Sequence, residues 1–245
     1  MTQLKVILSD TQIPFHDTKA MATVCNLLAD RASDITEVHQ IGDFFDFTAI
    51  SRWVDGTLAE DGKLLQRELD VAQGVMRDIL KAYGGNKTRV MGNHDNRLRS
   101  YLNTKAKGLA GLRALAYDNL TMAYEYGWET KDEPYTLAPG TVAVHGLAVR
   151  KYSGHTAHAH LEKIPAGNVV HGHTHRAGLV WRNDRWGMEV GCLMDKAKAS
   201  YLAAGYADWQ QAIGVLYVDG KQVWPQLLEF KADRSLMFEG KRYRP

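Results

Sequence analysis

Three observations predict an α/β fold for this chain of 245 residues. Residues 4–91 alternate short apolar runs with helical apolar spacing, in the order strand, helix, strand, helix, strand that builds a βαβαβ unit with parallel strands. The second half turns to strands joined by tight turns. Five of the apolar stretches end in short polar segments: Asp10-Thr11-Gln12, Gly42-Asp43-Phe44-Phe45-Asp46, Gly92-Asn93-His94-Asp95, His145-Gly146 and Gly172-His173-Thr174-His175. The length suits one domain over residues 1–245.

Residues 4–8 are rich in branched side chains and read as a buried strand. Pro14 and His16-Asp17 break the pattern. Asp17 is placed to cap a helix over residues 18–31, with Met21, Val24, Leu27 and Leu28 on one face. Residues 38–41 form a second strand. Residues 63–83 carry Leu65, Leu69, Ala72, Met76 and Leu80 at helical spacing, and Gly84-Gly85 stops them. Residues 88–91 are a third strand, running into Gly92-Asn93.

Residues 97–117 look helical, with breaks at Gly108 and Gly111. Tyr124, Tyr126 and Trp128 alternate as in a strand packed on the core, although such aromatics also suit stacking on a base. The segment 97–138 reads as a helical insertion or cap. Strands at 141–144 and 168–170 lead into histidines. Residues 179–181 and 186–190 flank Asn183-Asp184, and 213–218 and 222–230 flank Asp219-Gly220, so each pair predicts a hairpin.

A net charge of +2, with 45% hydrophobic and 24% charged residues, describes an ordinary soluble protein. It supplies no global field for a processive nuclease on long duplex or for an anionic membrane. The basic Lys241-Arg242-Tyr243-Arg244 reads as a solvated terminus. Cys25 and Cys192 are too few for a disulfide framework, and Cys25, among Val24, Leu27 and Leu28, reads as a buried thiol. No stretch approaches the ~20 apolar residues of a membrane helix. The first residues lack a cleavable signal pattern, so a cytoplasmic location is expected.

A residue just past the carboxyl end of a parallel strand projects into the crevice where open α/β sheets bind ligands. Asp10, Asp43 and Asn93 hold that position. Carboxylates and amides suit hard divalent cations, and imidazoles suit Zn, Fe, Mn or Ni. A mixed set that shares a carboxylate is what two metals ~3.5–4 Å apart require. Taken singly, an Asp after a strand is a turn former and a His is structural. Five such segments in one chain point instead to a metal site.

On these motifs the chain resembles the calcineurin-like metallophosphoesterase superfamily. That pattern is Asp-x-His, Gly-Asp-x-x-Asp, Gly-Asn-His-Asp/Glu, a His after an apolar strand, and Gly-His-x-His, matched in order between residues 10 and 175. The resemblance implies a four-layer αββα sandwich of two mixed β-sheets flanked by helices. It implies a hydrolase of phosphodiesters or phosphomonoesters with two divalent metal ions, Mn2+ first, with Fe, Zn, Ni or Mg compatible. Asp10, Gln12, Asp43 and His175 would hold one ion, and Asp43, Asn93, His145 and His173 the other, around a bridging hydroxide. His94 would bind the phosphate and protonate the leaving oxygen, Asp95 would orient His94, and Asp46 would support the site without ligating. Arg97 and Arg176 are candidate anchors for a phosphate-ester substrate, a nucleotide or nucleic-acid end among the possibilities. The oligomeric state is left open.

Two positions depart from the pattern. Asp46-Phe47 stands where the superfamily's phosphoprotein phosphatases have Asp-Arg, which argues against a Ser/Thr protein phosphatase. Gln12 replaces a His, and an amide oxygen is the harder, weaker ligand, which tilts preference toward Mn2+. His16 is an alternative ligand that Pro14 should turn away. His155, His158 and His160 read as a solvated face or a substrate-contact loop, and His171 alternates away from His173. His39 has no visible partner. Two competing readings share the fold: an end-processing nuclease on the same site, and a non-catalytic binding module. The second should lack several ligands or His94, and here they are present.

Overall fold

Alternation along the first strand sets the layers. The computed structural model describes residues 2–53, 64–146, 148–164, 167–199 and 207–245. In strand β1 (Gln3–Leu8), Val6 and Leu8 pack on helices, while Ile7 faces the other way, into the space between two sheets. The helices on the first face are α1 (Thr18–Asp30) and α2 (Leu65–Ala82), which bury Val24, Leu27, Leu28, Leu69, Met76 and Ile79 there. Each fully buried aliphatic side chain of this kind contributes about 1.5–3 kcal/mol. As predicted, Asp17 caps α1, its carboxylate accepting from the backbone N–H of Lys19 and Ala20. The predicted start of α2 at Lys63 lies outside the described residues.

The first sheet adds β2 (Ile35–Ile41), β3 (Asn86–Val90), β4 (Trp128–Lys131), β10 (Ala212–Asp219) and β11 (Gln222–Glu229) in the order β11-β10-β1-β2-β3-β4. Strands β1 to β4 run parallel, and β10 and β11 close the other edge antiparallel. The second sheet has the order β5-β6-β7-β9-β8, from β5 (Tyr135–Ala138), β6 (Thr141–Val144), β7 (Asn168–His171), β8 (Ala177–Arg182) and β9 (Arg185–Val190). Its central pairs are parallel and its edge pairs antiparallel. Ile7, Ile41 and Val90 meet Val170, Met188 and Val190 between the sheets. Helix α5 (His155–Lys163) covers the outer face of the second sheet through Leu161. This is the predicted four-layer αββα sandwich of two mixed sheets flanked by helices.

Several local expectations change. Residues 97–117 form not one helix but α3 (Arg97–Thr104) and two 3-10 turns before α4 (Tyr117–Thr121). Tyr124 and Tyr126 lie in a 3-10 turn between Met122 and Gly127, both with positive φ, so the aromatic alternation is not a strand and only Trp128 enters β4. Within 97–138, β4 and β5 hydrogen-bond into the two main sheets. The basic terminus is not a free tail: β13 (Lys241–Tyr243) pairs with β12 (Leu236–Phe238), Tyr243 is buried, and both Lys241 and Tyr243 bond Asp30. Cys25 is only half-buried, though burial lifts its pKa to about 11, and both thiols are free. His39 does find partners, Thr88 at 2.5 Å and Glu37 at 3.0 Å. Among the described residues no helix is long and apolar enough to cross a membrane.

The backbone of His16 forms a bridge with Met194, and its buried Nδ1 has no hydrogen-bond partner. Burial first, and the nearby Lys198 ammonium second, lower its pKa to about 4. The unfolded chain therefore binds a proton between pH ~6.5 and ~4 that the folded protein refuses, so stability falls as pH drops through that window. The loss reaches about 3 kcal/mol by pH ~4. Denaturant unfolding of the chelator-treated protein should show His16→Gln flattening this acid limb relative to the parent.

Candidate metal centre

Each motif starts where a parallel strand stops, so the two sheets deliver the ligands to one edge. Strands β1, β2, β3, β6 and β7 end at Leu8, Ile41, Val90, Val144 and His171. The backbone then turns sharply. Asp10, Gln12, Asp43, His173 and His175 all have φ between 46 and 73°, the left-handed region that residues with a Cβ mostly avoid. Such conformations cost on the order of 1–3 kcal/mol each and persist only where the surroundings impose them. His173 and His175 thus reach the site from a turn beyond the end of β7. The motif glycines serve close approach: a Cβ on Gly92 would overlap the Asp43 carboxylate, and one on Gly172 would overlap Ser9 and Asp10.

Both central carboxylates are held by a backbone N–H at one oxygen and face an imidazole nitrogen with the other. Asp10 Oδ2 accepts from Ser9 Oγ at 2.5 Å and from His173 N at 2.9 Å, while its buried Oδ1 has no hydrogen bond and lies 3.2 Å from His175 Nε2. Asp43 Oδ1 accepts from His94 N at 2.8 Å, and its Oδ2 lies 3.1 Å from His145 Nε2 and 3.8 Å from His94 Nε2. His145 Nδ1 donates to the Ile41 carbonyl at 3.0 Å, which aims Nε2 at the cluster. Asn93 Oδ1 is 3.2 Å from the same Nε2.

The donor set fits divalent cations. Among the described residues, Asp43, His145 and His173 bring ligand atoms within 4.8 Å of one another. Gln12 adjoins this group, with Nε2 3.0 Å from His175 Nε2 and 3.5 Å from Asp43 Oδ2, and His175 in turn lies 3.2 Å from Asp10. The two orphaned oxygens, Asp10 Oδ1 and Gln12 Oε1, are both buried. Buried carboxylates without partners are costly unless a cation compensates them. Burial opposes charge on His145, yet the Asp43 carboxylate beside it outweighs this and raises its pKa to about 10. The negative field that holds this proton is the field a metal would use. Gln12→His is expected to raise affinity of the Asp10 side for Mn2+ by roughly tenfold, about 1.4 kcal/mol. Titration calorimetry showing equal or weaker binding would mean that the amide is already the better ligand.

His94 stands next to this cluster, and its orienting carboxylate is Asp46, not Asp95. Asp46 Oδ2 is 2.9 Å from His94 Nδ1. Asp95 turns the other way and accepts from Gly92 N, Phe45 N and Tyr117 OH, bracing the two loops. Adjacent residues in a tight turn point apart, which is why the neighbour in sequence is not the neighbour in space. Burial disfavours charge on His94, but Asp43 and Asp46 outweigh it and raise its pKa above the usual imidazole value.

The two candidate anchors separate. Arg97 donates to Asp46 Oδ1 at 2.9 Å and places Nη2 3.3 Å from His94 Nε2. An anion seated alongside these two groups would accept from both. Arg176 is engaged by the Arg150 carbonyl at 2.9 Å and lies 3.9 Å from Asp208. Phe47 is buried, stacked on Phe45 with centroids 5.0 Å apart, so the position after Asp46 is apolar core. His155 and His158 are exposed on α5, and His160 is buried against His171 with rings 4.2 Å apart. Trp209, packed 4.2 Å from the His175 ring, carries no motif and was not foreseeable.

No family model matches the chain. The gene 54 protein of Mycobacterium phage D29 is 34% identical over 248 aligned positions, covering 96% of each chain. The gene 54 protein of Mycobacterium phage L5 is 32% identical over the same length, again covering 96% of each. Among solved structures, Vps29 of Chaetomium thermophilum shares the fold with a TM-score of 0.53 at 12% identity, over 99% of this chain and 98% of that one.

Proposed function

The chain belongs to the family of the mycobacteriophage gene 54 proteins, and we propose that it is a divalent-metal-dependent phosphoesterase acting on phosphodiesters, phosphomonoesters or both. One observation carries the reading: two buried carboxylates, each with one oxygen fixed by a backbone N–H and the other facing an imidazole nitrogen, converge with three histidines beside the supported imidazole of His94. Asp10, Gln12, Asp43 and His175 would hold one ion and Asp43, Asn93, His145 and His173 a second, with Mn2+ suited to the oxygen-rich first half. Such ions supply charge for phosphoryl oxygens and a lowered pKa for water. His94, with Nδ1 tied to Asp46, presents Nε2 to hold and release a proton at the leaving oxygen. Arg97 orients the phosphate against it. The unpaired thiols accord with the cytoplasmic setting proposed for the protein.

The test compares bis-p-nitrophenyl phosphate with p-nitrophenyl phosphate in Mn2+, Ni2+, Zn2+ and Mg2+. Chelator-sensitive turnover, strongest in Mn2+, is expected. Metal-loaded protein that hydrolyses neither ester in any of the four would overturn the reading.

A further inference from the structure

A groove of about 390 Å3 adjoins the candidate centre, lined by Arg52, Trp53, Asn93, Arg97, Tyr101 and Lys105 among others. Asn93 and Arg97 already belong to the metal centre and the His94 environment, so the groove runs along the edge of the candidate site. Its chemistry is not that of a packed surface. Trp53 is 70% exposed and Tyr101 38% exposed, and the Arg52 guanidinium stacks 4.7 Å over the Trp53 ring. Single exposed aromatics are common, but these two line one groove with cations, and Tyr101 lies within a charged segment. Residues 96–117 contain Arg97, Arg99, Lys105, Lys107 and Arg113 and no Asp or Glu. Of these, Arg97 and Lys105 line the groove together with Arg52, a local positive charge in a chain of net charge +2.

We propose that the groove holds an unpaired polynucleotide strand, with nucleobases stacked on both Trp53 and Tyr101 and the adjoining phosphodiester at the metal centre. Cations that follow a backbone, interleaved with aromatic faces, are what single strands require, because every base offers a face to stack. A base-paired duplex hides those faces, which selects a single strand or a frayed end. The proposal rests on the phosphoesterase reading for the position of the scissile phosphate, and its test therefore uses a separate readout.

Fluorescence anisotropy of a labelled single-stranded oligonucleotide of about 12 residues, within the span such grooves cover, is measured on His94→Ala protein in Mn2+, which keeps the strand intact. An abasic strand of equal length and charge, and a blunt duplex, serve as comparisons. The base-bearing strand is expected to bind at least about tenfold more tightly than the abasic one, with a base stack as the source. Trp53→Ala and Tyr101→Leu should each remove most of that difference, and Trp53→Phe should restore it. Affinity should fall with salt at a slope of about −0.7 per neutralised phosphate. Equal binding of base-bearing and abasic strands, equal binding of the blunt duplex, or unchanged discrimination in Trp53→Ala would overturn the proposal. Failure to hydrolyse either nitrophenyl ester, with base-dependent binding intact, would count against the phosphoesterase reading instead.

Discussion

Asp43→Asn is expected to empty the centre of metal and to abolish turnover. Asparagine keeps the volume and the acceptor for His94 N, which Asp43 Oδ1 now provides at 2.8 Å. It lacks the charge and the second ligating oxygen that Oδ2 turns toward His145 and Gln12. Both halves of the cluster depend on that oxygen, so both ions should be lost together. Removing one electrostatic contact to a transition state costs about 10²–10³ in rate, and this substitution removes more than one. A loss of at least about 10³-fold in bis-p-nitrophenyl phosphate turnover is expected, with bound metal measured by elemental analysis falling toward zero. In the metal-free protein, the His145 pKa should also drop from about 10, because the Asp43 carboxylate is the charge that raises it. Histidine NMR reads that directly. Two ions per chain and near-native turnover would show that Asp43 is not shared.

His94→Ala is expected to slow turnover by about 10²–10⁴-fold, the range for a positioned general acid, while leaving metal content unchanged. The loss should be larger for an alkyl ester than for a nitrophenyl ester, whose leaving group needs no proton. His94 acts protonated, so the parent enzyme should lose activity as pH rises through its raised pKa, and the variant should lack that alkaline limb. Asp46→Asn offers the companion measurement. It removes one of the two carboxylates that raise the His94 pKa, so the alkaline limb should move to lower pH without disappearing. Equal losses on alkyl and aryl esters would remove His94 from the acid role.

Much of this was legible because local rules suffice for it. The cap at Asp17, the apolar face of α1 and both hairpin turns depend on residues a few positions apart. The five polar segments were also legible, since each follows a recognisable apolar strand. Partnerships across the chain were not. Asp46 and His94 are 48 residues apart, and nothing in either segment shows that they meet. The strand pattern of Tyr124, Tyr126 and Trp128 failed because Met122 and Gly127, both with positive φ, bound a 3-10 turn that alternation does not detect.

The sequence by itself determined that this protein is an α/β sandwich carrying a dispersed set of oxygen and nitrogen ligands, because strand periodicity and ligand chemistry are written in adjacent residues. Only the tertiary structure decided which carboxylate supports His94, that Arg97 and not Arg176 faces it, and that Gln12 brings its amide against His175 and Asp43. The physical reason is directional. A ligand's identity is a property of one residue, whereas its aim depends on a left-handed turn, a glycine-sized gap and a hydrogen-bond partner supplied from other strands.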